Sequence, residues 1–117
     1  MTFLSSASEK SFLIMQRNHK KYEKNIMTLR FNMIKRNIEY VENQYYNMNS
    51  MNGTDEDALQ VDDDPYYRSL QQMSDQIETQ IEDLDLEIDT FETQIKSFED
   101  QIKNGIKSSC GLSLNGG

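Results

Sequence analysis

The chain has 117 residues, room for one domain, with 36% hydrophobic and 27% charged residues. One histidine, one cysteine and no tryptophan supply no triad, no Cys–His dyad and no His/Cys zinc set, and no glycine-rich phosphate loop is present. These counts argue for a non-enzymatic protein with no cofactor and no metal, and its polarity is periodic rather than random, which points to amphipathic helix over disorder.

Ser6-Ala7-Ser8-Glu9 fits a capping box, in which the Ser6 hydroxyl accepts from the Glu9 amide. It predicts helix 1 over about 6–48. The apolar positions Phe12, Met15, Tyr22, Ile26, Leu29, Met33, Ile34, Ile38, Val41, Tyr45 and Met48 follow a stripe of period 3.6, the repeat of a straight helix. His19 lies on that stripe and reads as a packed or half-exposed structural residue. The longest apolar run, Phe12 to Met15, is far short of the roughly 18–20 residues that cross a membrane. The N-terminus lacks a basic segment followed by an apolar one, so the expectation is a cytoplasmic protein, or one exported without a cleaved signal peptide.

Asn and Gly beyond Met48 signal a helix stop, and an acidic loop is expected over about 49–64. Read as a calcium loop it fails, because glycine is absent at the sixth position whether the count starts at Asp55 or Asp62. Asp64 followed by Pro65 is a strong start for helix 2, with a capping carboxylate and a proline preset for the first turn.

Helix 2, expected over 65–104, carries the plainest pattern in the chain. Leu70, Ile77, Ile81, Leu84, Ile88, Phe91, Ile95, Phe98 and Ile102 form an apolar seam whose gaps from Ile77 onward alternate four and three. That is a heptad repeat, the mark of a helix packed along its length. Asn104-Gly105 suggests a C-cap, and residues 108–117, rich in Gly and Ser and holding Cys110, suggest a disordered tail. Tyr45, Tyr46, Tyr66 and Tyr67 flank the loop and are expected at the hairpin tip as candidate partner contacts.

Residues 1–50 hold eight basic against four acidic residues, whereas residues 51–117 hold four against sixteen. Complementary halves predict an antiparallel, coiled-coil-like hairpin of all-α class, with Lys24 near Thr90 and Glu92, and Lys35 and Arg36 near Glu78. Helix 1 is basic enough to raise nucleic acid, but the net charge of -8 and pI near 4.5 argue against it. Two helices alone leave part of each seam open to water. Completion by oligomerisation is therefore expected: a structural or assembly protein packing on itself, with an adaptor or chaperone binding a different protein through an open seam as the alternative. In shape alone such hairpins resemble components of secretion filaments, small exported proteins and virions; no W-x-G turn or other family motif accompanies the shape.

Overall fold

The computed structural model describes the backbone over residues 3–52 and 59–116 and the side chains over 5–51 and 59–108. Two long α-helices form a helical hairpin: α1 spans Phe3–Asn52 and α2 spans Pro65–Gly116. A single 3-10 turn, Val61–Asp63, precedes α2. Among the described residues there is no strand. The chain divides into two compact units, one of Met1–Lys24 with Asp83–Gly117 and one of Asn25–Glu82.

In the first unit Leu13 of α1 and Leu84, Ile88 and Ile95 of α2 are buried. Ion pairs run alongside them between the two helices: Lys10 with Glu99 at 3.4 Å, Lys20 with Glu87 at 3.1 Å, Lys21 with Glu92 at 3.4 Å, and Lys24 with Asp85. The partners' numbers fall along α2 as they rise along α1, so the helices are antiparallel. In the second unit Ile34, Ile38, Val41, Tyr67 and Leu70 make one core, with Tyr45, Val61 and Ile77 packed against it.

Three sequence expectations are corrected here. Ser6 is not a cap: α1 starts at Phe3, and the Ser6 side chain, 1% exposed, turns inward and donates to Gln101 Oε1 at 3.1 Å. A partner across on α2 outcompetes the local capping bond for the buried Ser6 hydroxyl. Both helices also run past their expected ends, α1 to Asn52 and α2 to Gly116. Asn and Gly weaken a helix by up to about 1 kcal/mol each but, unlike proline, leave every backbone hydrogen bond intact. Of the expected acidic loop, residues 53–58 lie outside the described residues, as do the side chains of 109–117 within the expected tail.

The register is the third correction. Lys24 meets Asp85 rather than Thr90 or Glu92, a shift of at least one helical turn. In the second unit the chain turns back before α2 begins. Asn49 holds Leu59 by both ends of its amide, donating to the Leu59 carbonyl at 2.9 Å and accepting from the Leu59 amide at 2.7 Å. Tyr45 then donates to Asp64 at 2.7 Å. The chain thus returns along the last two turns of α1 before α2 begins, and α2 starts level with Tyr45 instead of with the end of α1.

Candidate interaction surface

In the first unit the inward face of α1 is not the face its apolar residues advertise, whereas in the second Ile34, Ile38, Val41 and Tyr45 of the expected stripe do face inward. In the first unit the buried and half-buried positions include Leu13, Arg17, Lys20 and Lys24; in the second they include Met27, Phe31, Ile34, Ile38, Val41 and Tyr45. Their spacing alternates four and three, the same heptad as α2. The expected period of 3.6 on helix 1 is therefore replaced by 3.5 on its packed face. Basic residues share the inward positions of the first unit with Leu13 because their aliphatic stems cover apolar surface; the heads of Lys20 and Lys24 reach Glu87 and Asp85 of α2, while Arg17 donates to Asn18 of its own helix. Lys20 shows this directly. Its hydrogen bond to Glu87 raises its pKa above the usual lysine value, with Glu23 adding to the effect and desolvation opposing it.

The seam residues of α2 are buried or half-buried. Leu70, Leu84, Ile88 and Ile95 are buried, and Ile77, Ile81, Phe91, Phe98 and Ile102 are half-buried. Ser74, 2% exposed, fills the heptad gap between Leu70 and Ile77; being polar, it escaped a search for apolar periodicity.

The four flanking tyrosines separate into different roles. Tyr67 is core, and burial raises its pKa first, with the Glu42 carboxylate beside it second. Its hydroxyl donates to Glu42 Oε1 at 3.3 Å and accepts from Gln71 Nε2 at 2.9 Å. Tyr45 is half-buried, while Tyr46 and Tyr66 are exposed. Asp64 does cap α2: its Oδ1 accepts from the amides of Tyr66 at 2.8 Å and Tyr67 at 3.4 Å. Its other oxygen takes the Tyr45 hydroxyl, and that bond, followed by the Tyr66 amide, holds the carboxyl below its ordinary range. The same contact raises the Tyr45 pKa. The tip is thus held together by an N-cap that also anchors α1.

What remains uncovered lies on the other side of α1. Phe12, Met15 and Tyr22 in the first unit and Leu29 and Met33 in the second are 57% to 69% exposed. The residues between them in the same row are Ile26, which is half-buried, and His19, which is exposed and lies 2.9 Å from Glu23 through Nε2. From Phe12 to Met33 the row runs at gaps of three and four, so helix geometry sets it along one face of α1. On a wheel of 100° per residue that face is turned roughly 150° from the inward one. Among the described residues of α2 there is no comparable stripe of exposed apolar side chains; Tyr66, Met73, Leu86 and Ile106 stand apart.

No group of three or more His, Cys, Asp or Glu able to hold a metal ion occurs among the described residues, and no helix there is long and apolar enough to cross a membrane. No protein-family model matches the chain, and comparisons with curated proteins and with solved structures likewise find no match.

Proposed function

We propose that this chain is a non-enzymatic assembly protein that acts by associating with copies of itself through helix packing. The observation that carries this reading is the heptad-spaced row of large apolar side chains left exposed on α1. Scattered surface apolar residues need no explanation, but a contiguous helical stripe of them marks an interaction site. The α2 seam that first suggested association is buried or half-buried, so the more exposed row on α1 is the better associating surface. An adaptor binding a different protein would have to use the same row.

Light scattering of the purified chain across concentration tests the reading. The expected result is a mass that rises to a dimer or higher species, and that falls back to a helical monomer in Leu29→Glu. A helical monomer at every concentration overturns self-association in favour of an adaptor.

A further inference from the structure

The exposed row on α1 can be laid on a second copy of itself about a two-fold axis, and the charges at its flanks favour that occupant. Phe12, Met15, His19, Tyr22, Ile26 and Leu29 are separated by three, four, three, four and three residues, so these six can meet their counterparts in an antiparallel copy, while Met33, next along the row, falls opposite Ser8. We propose that two copies of the chain pair through this face of α1, antiparallel, about an axis level with Lys20 and Lys21. The inference rests on the self-association reading and names its partner and its geometry.

In that register each core position of one copy meets one of the other: Phe12 faces Leu29, Met15 faces Ile26, and His19 faces Tyr22. Antiparallel coiled coils pair a with d positions in this way, so that large and small knobs share layers. The flanking positions agree. Glu9 falls beside Arg30 of the second copy at both ends of the interface, and both residues are exposed and in no ion pair among the described residues. On the other flank Ser11 meets Asn32 and Asn18 meets Asn25, uncharged pairs that raise no repulsion. A parallel pairing would leave Glu9 without a cation and would gain no ion pair in exchange. The basic residues Lys20, Lys21 and Lys24 near the axis are already paired to Glu87, Glu92 and Asp85 in their own chain, which lowers the charge two copies would otherwise bring together. Because the row lies far around α1 from the face that packs on α2, the second copy adds a layer without displacing anything.

Cysteine pairing tests the geometry. Phe12→Cys and Leu29→Cys are each made in a Cys110→Ser background and oxidised with glutathione disulfide, alone and as an equal mixture. The two positions are exposed in the monomer, so neither change threatens the fold. The expected result is a disulfide-linked dimer in the mixture and little in either variant alone, since two copies of position 12 lie about 25 Å apart when the helices are antiparallel, far beyond disulfide reach. Sedimentation of the same samples keeps the two levels distinct. Linkage of Phe12→Cys with itself, or a sedimenting dimer whose mixture does not link, overturns the antiparallel register and leaves self-association standing; a monomer throughout overturns both. As a second readout, Glu9→Lys should raise the dimer dissociation constant about tenfold, and adding Arg30→Glu should restore it; failure of the rescue contradicts the pairing.

Discussion

Replacing Ile38 with alanine tests whether α1 packs through the inward heptad face or through its more apolar outer stripe. Ile38 is 6% exposed and sits in a core with Ile34, Val41, Tyr67 and Leu70. The substitution removes three carbons, about 0.8 kcal/mol each by transfer, or about 2.4 kcal/mol. The neighbours are anchored on two helices and cannot fully close the gap, so the cavity adds to that and the expected loss is about 3 kcal/mol. Tyr40, two residues on, is 64% exposed, and Tyr40→Ala should cost no more than about 0.5 kcal/mol. Urea unfolding followed by circular dichroism at 222 nm, at a protein concentration low enough to keep the chain monomeric, reads both. An unchanged slope against urea would assign each difference to stability. Near-equal losses, or a larger loss at Tyr40, would refute the assignment of faces.

Other outcomes follow from single contacts. Asp64 has a folded pKa lowered from 3.8, so its contribution is full above that value and is lost as pH falls through the lower folded value. Acid unfolding of Asp64→Asn should therefore show a weaker pH dependence below about pH 4 than the wild type, and Tyr45→Phe should show part of the same change; an unaltered acid limb in both would contradict the cap. Gln101→Ala removes the acceptor of the buried Ser6 hydroxyl and should cost about 1 kcal/mol or somewhat more. Adding Ser6→Ala should then cost little further, and independent, additive losses in a thermal-melt cycle would argue against the bond.

The sequence carried α2 far better than α1, and the reason is the kind of residue that fills each seam. On α2 nearly every inward position is Ile, Leu or Phe, so apolar period and packed face coincide. On α1 the inward positions of the first unit include, beside Leu13, Arg17, Lys20 and Lys24, which a hydropathy reading counts as surface. Meanwhile Phe12, Met15, Tyr22, Leu29 and Met33, which it counts as core, point outward. The charge complement between the halves was legible and the pairs exist, but their register was not. In the second unit Asn49 holds Leu59 where the chain doubles back, a contact with no periodic signal. Asp64-Pro65 was legible as a helix start because the capping carboxylate and the fixed proline φ act locally. Ser6-x-x-Glu9 had the same local form and was overridden by Gln101, a partner far away in sequence.

Sedimentation equilibrium of the wild type against a Phe12→Glu/Leu29→Glu double variant bears most directly on the claim that α1 serves two faces, one for its own chain and one for a second copy. The predicted result is a wild type that dimerises with rising concentration and a variant that stays monomeric while keeping its helical signal. A wild type that remains monomeric, or a variant that loses helix and association together, would contradict it.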